Sequence, residues 1–160
     1  MDLSRYAALF STESREQLAA CVQSLLDWER SPGAVEPVLV LFRAMHSFKG
    51  MAAAMGYSNL TELAHRSETL LGQLREDPVS GRELIDLFLR VVDALERGAP
   101  QANEGGDSRL DYAALLQELD EAAETRSART KSPASVPAER SKASDSRVGR
   151  EVQVTIRAGA

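Results

Sequence analysis

The chain has 160 residues, 43% of them hydrophobic, which is enough for one domain with a proper core. Its single cysteine, Cys21, excludes an internal disulfide and any cysteine-rich metal cluster, and no apolar run approaches the roughly 20 residues that cross a bilayer. The formal net charge of −5 is unevenly spread: residues 126–150 hold seven Arg or Lys against Glu139 and Asp145, which leaves residues 1–125 at about −10 and argues against nucleic acid as their ligand.

The start Met1-Asp2-Leu3-Ser4 lacks the charged and apolar regions of a signal peptide, so a reducing cytoplasm is expected, with no direct membrane insertion. From Leu3 to Arg30 an apolar face formed by Tyr6, Leu9, Phe10, Leu18, Val22, Leu25, Leu26 and Trp28 predicts a helix, stopped by Ser31-Pro32-Gly33. A second helix follows Pro37 and runs to about Met55. The third starts after Gly56-Tyr57, with Ser58 as its expected N-cap, repeats Leu60, Leu63, Ser67, Leu70 and Leu74 at intervals of three and four, and ends at Asp77-Pro78.

Ser80 or Gly81 is expected to open a fourth helix carrying Leu84, Leu87, Phe88, Val91, Val92 and Leu95, which Gly98-Ala99-Pro100 should break. A shorter fifth helix, from about Leu110 to Glu124, follows Asn103-Glu104-Gly105-Gly106 and would dock outside the bundle through Leu115, Leu116 and Leu119. The expected fold is all-α, an antiparallel four-helix bundle with an added fifth helix, over residues 1–126. Residues 127–150, rich in Ser, Ala, Pro and cations, read as a flexible linker, because they cannot bury enough apolar surface to offset ordering entropy. Val152, Val154 and Ile156 alternate like a strand, so 151–160 reads as the start of a truncated following domain.

The second helix carries the most informative string, His46-Ser47-Phe48-Lys49-Gly50. It puts an imidazole, a cation and a bare backbone position on one turn, since residues three and four apart are neighbours on a helix surface. At 100° per residue, His46 lies roughly 100° from the core direction set by Val38, Leu41, Met45, Ala52 and Met55. Glu68 stands at a similar offset on the third helix, so His46 and Glu68 are expected to meet across the groove between antiparallel neighbours. His65 points roughly 160° from that helix's apolar direction, toward solvent.

Leu41-Phe42-Arg43-Ala44-Met45-His46-Ser47-Phe48-Lys49-Gly50, followed by Met55-Gly56-Tyr57 and Leu63-Ala64-His65-Arg66-Ser67-Glu68-Thr69-Leu70-Leu71, resembles the histidine-phosphotransfer domains at the amino terminus of CheA-type chemotaxis kinases. The resemblance implies that His46 is the phosphoacceptor. Glu68 would accept a hydrogen bond from Nδ1–H and leave Nε2 free to attack, Lys49 would screen the phosphoryl charge, and His65 would support the site. Gly50 and Ala53 would keep the flank low for partners. Met45, Met51 and Met55 read as core or boundary packing, although Met51 stands where relatives carry a small residue, which could alter partner fit.

The same resemblance implies the partners: the kinase domain of a parent chain, which binds ATP and Mg and acts in trans, and response regulators of the CheY or CheB kind. No glycine-rich phosphate loop is visible, so the chain is expected to carry phosphate without an ATP-binding engine or cofactor of its own, as a monomer. Any recruitment to membrane receptor arrays would run through the parent. Two other readings remain open at this point. One is a helical docking bundle whose histidine is never phosphorylated; the other is a bundle metal site, disfavoured because the paired Glu-x-x-His repeats such sites use are absent.

Overall fold

The computed structural model describes residues 3–131. Helix α1 spans Leu3–Arg30, α2 Glu36–Ala54, α3 Ser58–Leu74, α4 Ile85–Asn103 and α5 Ala113–Lys131, with short 3-10 turns at Val79–Leu84 and Asp107–Arg109. The chain divides after Ala123 into two units, and of the second only residues 124–131 are described, as helix. In the first unit, α1 packs on α2 and α4, while α3 packs on α2 and α4, which closes a four-helix bundle. The short α1–α2 and α2–α3 connections require those neighbours to run antiparallel.

The core takes one stripe from each helix. Leu18, Leu25 and Trp28 of α1, Leu41, Met45 and Phe48 of α2, Leu60, Leu63, Leu70 and Leu71 of α3, and Phe88, Val91 and Leu95 of α4 are essentially inaccessible. Cys21 is buried with them, and burial, reinforced by Glu96, pushes its thiol up to about 12. Leu119 is also buried, while Leu115 and Leu116 pack against the core, and the paired contacts Arg66–Asp120 and Arg90–Glu118 seat α5 on α3 and α4.

The α2–α3 turn is what aligns the site. Gly56 adopts φ +78°, its N–H donates to Ala53 O and the Tyr57 N–H to Ala52 O, a left-handed cap that satisfies the last carbonyls of α2 and reverses the chain in three residues. Ser58 does not cap α3. The α3 N-terminus is capped from a distance: Asp107 accepts from the Asn59 N–H at 3.0 Å and the Leu60 N–H at 3.2 Å, a carboxylate on orphan donors that outcompetes the local hydroxyl.

Both expected boundaries of α4 shift. The segment opening at Ser80 and Gly81 is a 3-10 turn with Gly81 pressed against Leu74, and α4 begins only at Ile85. Gly98-Ala99-Pro100 does not break α4, since Pro100 forfeits only its own N–H bond. The helix runs on to Asn103, whose amide donates to Ala7 O, and it stops at Gly105, φ +89°, where Gly105 and Gly106 N–H close on Ala102 and Gln101 carbonyls. Gly98 instead makes room for Tyr112, whose hydroxyl donates to Ala94 O.

The fifth helix begins at Ala113 and continues past Glu124 to Lys131, overlapping the first five residues of the expected linker. From Asp120 on, its alanine, glutamate and arginine content favours helix without any large apolar residue. The rest of that linker, 132–150, and the strand-like 151–160 lie outside the described residues. Among the described residues no helix is long and apolar enough to cross a membrane.

Candidate functional site

The facing flanks of α2 and α3 bring His46, Lys49 and Glu68 together. His46 Nδ1 hydrogen-bonds Glu68 Oε2, and Lys49 Nζ donates to Glu68 Oε1 at 2.6 Å, so each carboxylate oxygen serves one partner. Exposure is graded across the three: the His46 side chain is 63% exposed, Lys49 25% and Glu68 11%. The expected meeting of His46 and Glu68 is thus found, but the two are not equivalent. Glu68 belongs to the buried face of α3, while the imidazole stands in solvent.

That asymmetry fixes the chemistry available to the ring. A carboxylate acceptor at Nδ1 favours the tautomer with the proton there and leaves the Nε2 lone pair unprotonated on the open side. Burial, the largest single influence on Glu68, pushes its carboxyl up, yet hydrogen bonds and charge from Lys49 and His46 together hold it below its ordinary value. Glu68 is therefore an ionised acceptor at neutral pH.

Gly50 and Ala53 are exposed beside His46, and a side chain added at Gly50 would meet nothing within 4 Å. His65 lies apart from the triad. It is exposed, its ring makes no hydrogen bond among the described residues, and with Ala53, Gly56, Ser58, Thr61 and Glu62 it rims a shallow depression. Met45 is buried, whereas Met51 and Met55 are partly buried against the core. Among the described residues no group of three or more His, Cys, Asp or Glu side chains is placed to hold a metal ion.

The Lys49–Glu68 pair was not expected from the sequence, which gave Lys49 a phosphoryl group instead. The available signal was that His46 and Lys49, three apart, face the same carboxylate. A second unexpected contact lies one turn earlier, where the Arg75 guanidinium sits over the Phe42 ring, 4.5 Å from its centroid.

A histidine whose Nδ1 is held by a buried carboxylate, on the open flank of a four-helix bundle, defines a phosphotransfer-type site. Residues 5–125 match the family model of the Hpt domain, and the chain belongs to that family. Within it the chain is homologous to the chemotaxis protein CheA: it is 35% identical over 121 residues to CheA of Bacillus subtilis and 40% identical over 97 residues to CheA of Klebsiella aerogenes. These stretches cover 75% and 60% of this chain but only 18% and 15% of those proteins, so the chain spans under a fifth of their length. The phosphorylated P1 domain of CheA3 in complex with CheY6 from R. sphaeroides is structurally similar, with TM-score 0.65 and 29% identity over 75% of this chain and 97% of that one.

Proposed function

We propose that the chain is the phosphotransfer domain of a CheA-like histidine kinase in two-component signalling, with His46 as the phosphoacceptor. Nε2 attacks the γ-phosphorus of ATP; an N–P bond forms, the bond to the bridging oxygen breaks and ADP departs. A response-regulator aspartate then attacks the same phosphorus, and the N–P bond breaks as the new O–P bond forms. Glu68 holds the reactive tautomer and offsets the positive charge the ring gains, while Lys49 answers the charge that arrives with the phosphoryl group.

The observation that carries this reading is the pairing of a solvent-facing imidazole with a carboxylate buried beneath it, 22 positions along the chain. ATP and Mg are supplied by a kinase domain of the parent protein, acting across a dimer. The phosphate passes to regulators of the CheY or CheB kind, a reading supported by the complex formed by the similar CheA3 domain. The setting is the cytoplasm, with receptor arrays reached through the parent, and His65 has at most a supporting role at the rim.

Incubation with the parent's kinase domain and radiolabelled ATP tests this. The domain should take up label that is lost in acid and kept in base, as a phosphoramidate requires, and His46→Gln should take up none. Undiminished labelling of that variant sinks the assignment.

A further inference from the structure

The groove that holds His46 continues one turn toward the start of α2, and there it carries a cation with no counter-ion. Phe42 precedes His46 by four residues and lies on the same flank. On α3 the matching position is Gly72, where an added Cβ would touch the Phe42 ring at 3.5 Å, and just past the end of that helix Arg75 is stacked over the ring. Arg75 is exposed and its guanidinium makes no hydrogen bond or ion pair among the described residues. Glu76 and Asp77 follow it directly, yet the guanidinium lies on the ring. Arg66, Arg90 and Arg97 are each paired with carboxylates; Arg43, Arg82 and Arg109, like Arg75, have no ion pair among the described residues, and Arg75 alone of these is stacked on a ring.

We propose that the Phe42–Arg75 stack is a specificity contact for the response regulator, with Arg75 presenting its free guanidinium edge to carboxylates on the regulator's surface beside His46. The inference rests on the phosphotransfer reading above. An exposed cation–π contact contributes little free energy, so the stack does little for the fold. It does hold a long side chain in one orientation, which lowers the entropy lost when a partner engages it. The planar fork then offers parallel N–H donors matched to a carboxylate.

Charge decides which partner is served. Residues 1–125 are acidic, and the acceptor is an aspartate that must approach an already anionic phosphoryl group; a Mg²⁺ ion used in that transfer is itself held by carboxylates. The regulator therefore brings negative charge to a negatively charged domain. Lys49, only 25% exposed and paired with Glu68, is left to the phosphoryl group and is set back from the rim where the regulator's own carboxylates arrive. The kinase step differs, since ATP arrives with its own metal and cationic residues. Arg75 should consequently matter for handing the phosphate on and not for receiving it.

The test separates the two steps. Wild type, Arg75→Ala, Arg75→Glu and Arg75→Lys are labelled by the parent kinase domain, then mixed with the CheY-type regulator that wild type phosphorylates fastest, over a range of regulator concentrations. Labelling should stay within about twofold of wild type, while kcat/KM for transfer falls about threefold in Arg75→Ala and about tenfold or more in Arg75→Glu, chiefly through KM and less at high salt. Arg75→Lys, which keeps the charge without the fork, should fall between wild type and Arg75→Ala. Phe42→Leu, which removes the ring but leaves the Arg75 charge and fork unoriented, should likewise fall between wild type and Arg75→Ala. Unchanged transfer by Arg75→Glu overturns the inference, as does an equal loss in both steps or a loss confined to kcat. Failure of wild type to acquire label at His46 is a different result, seen before any regulator is added, and overturns the phosphotransfer reading itself.

Discussion

Lys49 Nζ lies 2.6 Å from Glu68 Oε1, so the carboxylate that orients His46 is also the counter-ion of the lysine one turn away. One buried anion thus stands between two groups with different tasks, and replacing each of the three should give a different signature.

Glu68→Gln keeps the side chain's size but loses the charge that selects the Nδ1–H tautomer. Phosphorylation of His46 should slow by about ten- to a hundredfold, with little change in helical content. Nitrogen NMR of the imidazole should show the Nδ1–H population falling in parallel. If tautomer and rate both stay put, the carboxylate has no part in activating the ring.

The same carboxylate makes a pH-dependent contribution to stability. Its folded pKa lies below its ordinary value, so the unfolded chain binds the proton more readily. The stabilisation is complete above the unfolded carboxyl range, about pH 4.3, and is lost as pH falls through the lower folded value. Urea midpoints of wild type and Glu68→Gln should therefore differ most near pH 6 and converge toward pH 3.

Lys49→Ala leaves Glu68 Oε1 to water and the Glu68–His46 hydrogen bond in place. The tautomer should persist while phosphoryl transfer slows by about tenfold or more, a split between spectrum and rate that Glu68→Gln does not show. Loss of the Nδ1–H signal in Lys49→Ala would mean instead that the lysine is what keeps Glu68 in position.

Asp107→Ala removes the acceptor for the Asn59 and Leu60 N–H groups. Chemical denaturation should show a loss of about 1–2 kcal/mol, the range for deleting a helix cap. His46 labelling should survive in the fraction that remains folded.

Pro100→Ala restores an N–H inside α4 at an exposed position. Stability should rise by about 1–2 kcal/mol, the proline's helix cost reduced by the freedom alanine adds to the unfolded chain. A fall in the denaturation midpoint would show that the ring packs to some purpose.

The meeting of His46 with Glu68 was legible in the sequence because two periodic helices joined by a tight Gly56 turn have only one way to face each other, and that choice sets which flanks touch. Solvent exposure of His65 was legible for the same reason. Lys49's partner was not. A lysine has a long flexible stem, and spacing alone cannot tell a resident carboxylate from a phosphoryl group yet to arrive. The capping of α3 by Asp107 joins residues 48 positions apart and leaves no local pattern, so Ser58 looked the better candidate. At Pro100 a true local signal, the missing N–H, was overridden by the contacts of the turn that follows.

His46 stands on the ridge of the bundle, and among the described residues nothing roofs it. Transfer of a phosphoryl group is best served by a site from which water is excluded, and here the domain provides only the floor. Under the proposed function the walls would come with whichever partner is docked, and would leave with it. A donor and an acceptor would then use one histidine in turn without either having to open a lid, and between visits the bond would stand in solvent, its persistence set by hydrolysis as well as by how soon the next partner arrives.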